Sequence, residues 1–451
     1  MDKSKQLGTE SIGKLLVKFS IPAIIGMLVN ALYSIVDRAY IGHIDKIGTD
    51  ALSGLTNTMP ISTAILAFGM LVGIGTSALI SIKLGEKKKE EAEKILGNAV
   101  ILDGLISLVI GILGIIFLDK LLILFGTGKE SIPYAKAYIT IILLGAPLQN
   151  IGFGINNSIR AEGNPKMAML TMIFGALINI ILDPIFIFVF GMGIKGAAIA
   201  TVISETFNTL WVMYYFTSKK SGSILKVKKE NLKLDPKIIK AIFAIGMSPF
   251  AMQIASSVVV TLYNRGLYTY GGTKAVAAMG IINSIAMLIF MPMFGINQGV
   301  QPIIGYNYGA KNYPRVKRAL KLAILAATTI ATLGFLCVQV FPKALIGLFI
   351  KNDIELLNIG ARGLRIDLLF LPIIGMQIVG SNYFQAIGQA KTAMFLSLLR
   401  QVVILIPLIL VLPTFFKLDG LWMSQPYADV IAFLLTAFFL YRSMKELKIT
   451  N

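Results

Sequence analysis

One histidine, His43, and one cysteine, Cys337, occur in the 451 residues, and each scarcity excludes a class of chemistry. A lone cysteine closes no disulfide within the chain, and its place in an apolar run predicts a core side chain. A lone histidine rules out a multi-histidine metal site. An intramembrane enzyme would want a histidine pair, a metal cluster or a serine beside a base, and one histidine near the outer end of the first span makes that a poor reading. No Gly-x-x-x-x-Gly-Lys-Ser/Thr loop is present, so ATP hydrolysis by this chain is not its source of energy. The reading is a protein that is not an enzyme and carries no cofactor. Tryptophan is limited to two residues, and charged residues make up only 14% of the chain, against about 25% in soluble domains.

What is plentiful is apolar sequence. Hydrophobic residues make up 56% of the chain, and the mean hydropathy is +0.77. Apolar runs of about twenty residues recur, each long enough to cross a hydrocarbon core of roughly 30 Å as a helix. They predict an all-α membrane protein with twelve transmembrane helices. The spans fall near 15–42, 51–82, 95–118, 134–158, 167–190, 196–217, 241–270, 275–305, 318–341, 359–385, 392–413 and 420–441. Residues 1–18 are polar and basic, and the long apolar stretch after them ends without a small-residue cleavage site. That segment reads as the first span rather than a cleaved signal.

The net charge of +19 is concentrated. The Lys83–Lys94 loop, the lysines from Lys219 to Lys240 and the stretch from Lys311 to Lys321 share one side if the N-terminus is cytoplasmic. This asymmetry sets topology and places both termini in the cytoplasm. The surplus charge meets anionic lipid heads, and no nucleic-acid partner is expected.

The second half repeats the first at an offset of about 225 residues. Ser20-Ile-Pro22 corresponds to Met247-Ser-Pro249, and Asp37-Arg38 to Asn264-Arg265. Leu84-Gly-Glu-Lys87 matches Tyr308-Gly-Ala-Lys311, and Gly163-Asn-Pro-Lys166 matches Gly388-Gln-Ala-Lys391. Pro147 pairs with Pro372, Asn157 with Asn382, Gly196 with Gly420 and Glu205 with Asp429. So many matches in one register mean duplication. The expected domains are a six-helix lobe over 1–218, a basic linker over 219–240 and a second six-helix lobe over 241–451. An even number of spans per copy makes the repeats parallel, as in transporters whose halves rock about a central site. The linker reads as a solvated cytoplasmic tether.

Ionisable groups inside spans are costly and are functional candidates by default. Depth along the helices places Asp37, Asn179, Asp183 and Thr201 at similar height in three spans of one lobe. Asn179 and Asp183, four apart, share a helix face. Two close carboxylates would repel and favour taking up a proton, and the same oxygens suit Na⁺. A structural network that merely satisfies both carboxylates is the plainer alternative. Glu205 and Asp429, matched across the halves, are secondary candidates. Arg38 and Arg265, which recur near the outer interface, are secondary candidates as well, with snorkelling a plainer account than substrate contact. Asp103 and Asp367 lie near span ends and rank low, while Arg400 should face protein or a water-filled cavity. Met287, Met291 and Gln149 are candidates for the lining of a substrate cavity, since flexible methionine accepts many shapes.

The chain resembles the multidrug and toxic compound extrusion (MATE) family over essentially its full length. The resemblance rests on Pro22, Val36-Asp37, Ile41-Gly42-His43, Asn179-Ile-Ile-Leu-Asp183-Pro184 and Gly193-Ile-Lys-Gly-Ala-Ala-Ile-Ala-Thr201, with Gly420-Leu-Trp422 through Pro426 in the second half. Within the family it looks most like the bacterial branch of MepA- and DinF-type pumps. That resemblance implies two six-helix lobes in the bacterial cytoplasmic membrane, and a monomer that exports drugs, dyes or organic cations against H⁺ or Na⁺. Members with a cation site in the first lobe use the carboxylates that fall here on Asp37 and Asp183 and the polar groups that fall on Asn179 and Thr201. The NorM-like branch carries a glutamate in the seventh helix and an aspartate in the tenth. They fall near Ser256-Ser257 and Met376, so the resemblance lends no support to a second-lobe cation site and leaves its existence open. A flippase for lipid-linked saccharides or other amphiphiles is the rival reading, since relatives of the fold include such proteins.

Overall fold

The computed structural model describes residues 4–44, 48–125, 127–350 and 353–449, and every regular element among them is a helix. In hydrocarbon no water serves an unpaired N–H or C=O, so a spanning segment must close its hydrogen bonds within itself. The chain forms two compact units, one of Ile25–Phe250 with the residues up to Glu10, the other of Ser11–Ile24 with the residues from Ala251 onward. After a short α1 (Lys5–Thr9) come α2 (Ile12–Gly42), α3 (Gly48–Gly85), α4 (Lys89–Ile116), α5 (Leu118–Leu124), α6 (Ile132–Ala161), α7 (Pro165–Pro184) and α8 (Ile194–Thr217). The remainder is α9 (Pro236–Gly309), α10 (Tyr313–Val340), α11 (Pro342–Gly347), α12 (Ile354–Asp367), α13 (Leu371–Ala386), α14 (Ala390–Leu398) and α15 (Ile406–Ile449).

Among the described residues eight helical stretches are long and apolar enough to cross a membrane, and α12 with α13, bent by 50°, makes a ninth when the pair is taken as one span. Two of the eight are themselves broken, α9 at Gly272 and α15 at Lys417. α8, made less apolar by Lys195, Glu205 and Asn208, completes the twelve. α4 shows how the helices suit lipid. Leu105, Val109, Ile112 and Ile116 recur on one face and are 47–66% exposed, while Asp103 and Ser107 are buried. A soluble helix would reverse that pattern.

The duplication is visible in the backbone. Three pairs of residues in the left-handed region occupy matching places in the two halves: Lys87 (φ 61°) with Lys311 (56°), Gly163 (100°) with Gly388 (77°), and Gly193 (54°) with Lys417 (51°). The last pair agrees in ψ as well, −136° against −128°. The packing units differ from the sequence halves in one respect. The first turns of α2 belong to the second unit, and the first turns of α9 to the first. Small residues allow this. A Cβ on Gly246 would stand 1.7 Å from the Leu71 carbonyl oxygen, and one on Gly299 would stand 2.7 Å from the Ser20 nitrogen. Backbones approach so closely only where side chains are missing.

Two expectations need correction here. The linker is largely solvent-facing, with Leu225 its one buried residue, but it is not a free tether, because buried groups of the first unit hold it. Lys228 reaches the buried Glu93 at 2.6 Å, and the Lys226 N–H donates to the same carboxylate at 3.3 Å. The Glu162 carboxylate accepts from Ser223 at 2.7 Å, from the Leu225 N–H at 3.2 Å and from the Tyr215 hydroxyl. Asn98 accepts from the Asp235 N–H at 2.7 Å. A carboxylate buried without donors would be costly, so these contacts fix the path of the chain. Cys337 is the second failure: it lies exposed on α10 rather than in the core. In a membrane helix the lipid-facing side is as apolar as the interior, so an apolar run does not reveal which way a residue faces.

Candidate functional site

The first unit gathers a polar cluster inside its apolar packing. α2 delivers Asp37, one turn before Ile41. With Leu55, Ile65, Leu122, Ile139 and Ala198, Ile41 forms a tightly packed apolar cluster. α7 delivers Asn179 and Asp183 one turn apart, and α8 delivers Thr201. The Asn179 amide donates to Asp183 Oδ1 at 3.3 Å and to Thr201 Oγ1 at 3.4 Å. Asp37 and Asp183 meet carboxyl to carboxyl, within hydrogen-bonding reach. All three acidic and amide side chains are buried: Asp37 is 7% exposed, Asn179 1% and Asp183 0%. Asp37 Oδ1, Asn179 Oδ1 and Asp183 Oδ2 find no donor among the described residues. Oxygens left so short of donors can be satisfied by a proton shared between carboxylates or by a hard cation.

Two tyrosines complete this cluster, and the sequence reading missed both. Tyr138 of α6 hydrogen-bonds Thr201 and lies within electrostatic reach of both carboxylates. Tyr33, one turn before Asp37 on α2, neighbours Asp37, Asp183 and Glu205. The four-residue spacing of Tyr33 and Asp37 was a usable signal. Tyr138 sits in an apolar run and gave none. Glu205 is half-buried and accepts from Asn208 at 3.3 Å.

The second unit is built differently. Arg400 donates through Nε to Asp429 Oδ1 at 2.7 Å, so the cation expected to face protein has a carboxylate partner. Asp367, ranked low as a span-end residue, is buried at the break between α12 and α13. It accepts from Tyr263 at 3.2 Å and lies within electrostatic reach of Arg400 and Asp429. Asp367, Asp429, Tyr263, Asn264, Asn283 and Gln425 line a small cavity of about 160 Å³. Asp103, expected near a span end, lies in the middle of α4. It is fully buried in mid-helix, with neither oxygen partnered among the described residues, and stands where a Cβ on Gly154 would come within 2.4 Å. Arg38 and Arg265 are exposed, and Arg38 reaches Met59 Sδ at 3.6 Å. Of the proposed lining residues, Met287 is exposed, Gln149 half-buried and Met291 packed at 6% exposure.

The MatE family profile matches residues 22–185 and 243–411, one copy in each half. The chain belongs to the MATE family. It is 29% identical over 439 residues to the multidrug export protein MepA of Staphylococcus haemolyticus, covering 97% of this chain and 95% of that one. A crystal structure of a MATE protein in the bent conformation superposes with a TM-score of 0.93 at 26% identity, over 100% of this chain and 99% of that one. The structure of the MATE multidrug transporter DinF-BH, solved as a complex, superposes at 0.89 with 39% identity, over 96% of each chain. The MATE architecture of twelve helices in two six-helix repeats is therefore that of this chain, a multi-pass membrane transporter. Within that frame the first repeat holds two carboxylates in contact. The second has Asn264 in place of Asp37, and Arg400 beside the acid that matches Glu205.

Proposed function

We propose that this transporter exports hydrophobic and cationic drugs or dyes across the bacterial cytoplasmic membrane in exchange for inward H⁺ or Na⁺. The observation that carries the reading is the convergence of donor-poor oxygens from Asp37, Asn179 and Asp183. Two unit charges about 4 Å apart repel by about 4 kcal/mol at an effective dielectric of 20. A proton or a monovalent cation between the carboxylates relieves that repulsion, and Thr201 and Tyr138 adjust their hydroxyls around it. The oxygen-only donor set fits either ion. Occupation of the site favours one arrangement of α2, α7 and α8 and vacancy another, so a drug that prefers one arrangement is coupled to the ion. The relatives' export of drugs supports the substrate class. Export of a lipid-linked saccharide would call for free cations facing a cavity, and Arg400 is held by Asp429.

The test is ethidium transport in liposomes holding purified wild type or Asp37→Asn, under an imposed pH gradient and then a Na⁺ gradient. Wild type extrudes dye with one gradient, which names the ion, and the variant with neither. Dye movement that is equal in wild type and variant defeats the site assignment. If neither gradient moves dye in wild type, the flippase reading takes precedence.

A further inference from the structure

A groove of about 510 Å³ in the second unit lies where α10, α11 and α12 meet, at the end of the spans away from the basic loops. Its wall is made by Val340, Phe341 and Ile366, and its rim by Lys343, Arg362 and Arg365. No acidic residue lines it among the described residues. Arg362 is paired with Asp419 across the rim. Arg365 donates Nε and Nη2 to the Gln339 carbonyl at 3.2 and 3.0 Å, which leaves its Nη1 edge and Lys343 without an acid.

The local sequence explains the arrangement. α10 stops at Phe341, Pro342 starts the six-residue α11, and the chain re-enters through α12. α12 is amphipathic, with Gly360, Ala361, Gly363 and Leu364 buried. Asn358, Arg362 and Arg365 recur at i, i+4 and i+7 on its other face. It bends by 50° from α13. A short basic amphipathic helix at a bend belongs at the headgroup level. Phe341 is 59% exposed and Val340 likewise, an apolar strip that descends toward the hydrocarbon.

We infer that this groove binds the headgroup of one anionic phospholipid, with the phosphate at Lys343 and Arg365 and an acyl chain along Val340 and Phe341. Charge decides the occupant. A cationic rim repels the organic cations the transporter would carry, whereas a wall and rim of this polarity match a lipid that is apolar at one end and anionic at the other. The lipid joins α10 to the outer half of the bent span and so braces its break.

Cys337, the chain's one cysteine, is exposed on α10 one turn before Phe341 and supplies the reporter. The full-length protein, labelled there with bimane, is titrated with phosphatidylglycerol in phosphatidylcholine bilayers. A saturable spectral shift is expected with phosphatidylglycerol and not with further phosphatidylcholine or with inorganic phosphate. Lys343→Gln raises the half-saturating fraction about fivefold, the equivalent of about 1 kcal/mol per cation near an anionic surface. Lys343→Glu raises it further, and Lys129→Gln in the other unit leaves it unchanged. Both substituted lysines are exposed, so the variants fold. Phosphatidylglycerol retained by mass after delipidation should fall in parallel for Lys343→Glu. A shift reproduced by phosphatidylcholine or by phosphate alone, or one indifferent to Lys343→Glu, overturns the proposal.

Discussion

Replacing Arg400 by methionine should destabilise the second unit more than any other single charge removal there. The guanidinium is 21% exposed and its partner, Asp429, only 1%, so the substitution strands a carboxylate that water barely reaches. Asp429 Oδ2 already lacks a donor, and Asp367 stands within electrostatic reach. Breaking a buried pair by removing one partner costs about 3–5 kcal/mol. The partial exposure of Arg400 argues for the lower end, about 3 kcal/mol. In a chain of this length that corresponds to a fall of at least about 3 °C in the midpoint of thermal unfolding. The assay is fluorescence-monitored unfolding in detergent for wild type, Arg400→Met, Asp429→Leu and the double variant. Removing both charges avoids the stranded carboxylate, so the double variant should regain most of the loss. A double variant as unstable as Arg400→Met, or an Arg400→Met as stable as wild type, refutes the argument that the pair is a buried unit.

Gly246→Ala should lower the unfolding midpoint or the yield of folded protein, since its Cβ would stand 1.7 Å from the Leu71 carbonyl oxygen and the backbone itself must move. The cost is about 1–3 kcal/mol or more. Gly280→Ala, with nothing within 4 Å, should be neutral or slightly stabilising by the same measurement. Lys83, at the end of α3, holds Glu91 in the first turn of α4 at 2.9 Å and Glu86 in the loop between them at 3.0 Å. The hydrogen bond from Lys83 holds the Glu91 carboxyl below its ordinary value of 4.5. At Glu86, burial pushes upward but the bonds from Lys83 and Lys88 prevail, and that carboxyl is lowered too. A lowered folded value means stability present above pH 4.5 and lost as pH falls through the lowered values. The stability gap between wild type and Lys83→Met should therefore be small at pH 7, under about 1 kcal/mol, and shrink steadily as pH falls below 4.5.

Much of the architecture was legible because hydrocarbon penalises polarity so heavily. Twelve apolar runs, a repeat in fixed register and a short roster of intramembrane acids are strong signals, and Asp37, Asn179, Asp183 and Thr201 could be matched by depth alone. What stayed hidden depended on partners far apart in sequence. Arg400 and Asp429 are on different spans, and no spacing rule joins them. Glu93 and Glu162 lie in polar inner segments, where an acid excites no suspicion, yet both are buried to receive the linker. Asp103 lies deeper in its helix than its apolar run suggests, because α4 begins at Lys89 within the polar segment before that run. Tyr138 looks like any aromatic in an apolar run. Cys337 was misplaced because hydropathy does not distinguish a lipid-facing side from an interior one.

The central claim is that the Asp37–Asp183 pair links an ion to a drug, and linkage is directly measurable. Ethidium affinity should be determined for purified wild type, Asp37→Asn and Asp183→Asn across pH at fixed Na⁺, and across Na⁺ at fixed pH. The account predicts that one ion shifts wild-type affinity about fivefold or more, and that this dependence is lost in both variants while each still binds dye. An ion dependence that survives intact in either variant, or a wild-type affinity indifferent to both ions, contradicts it.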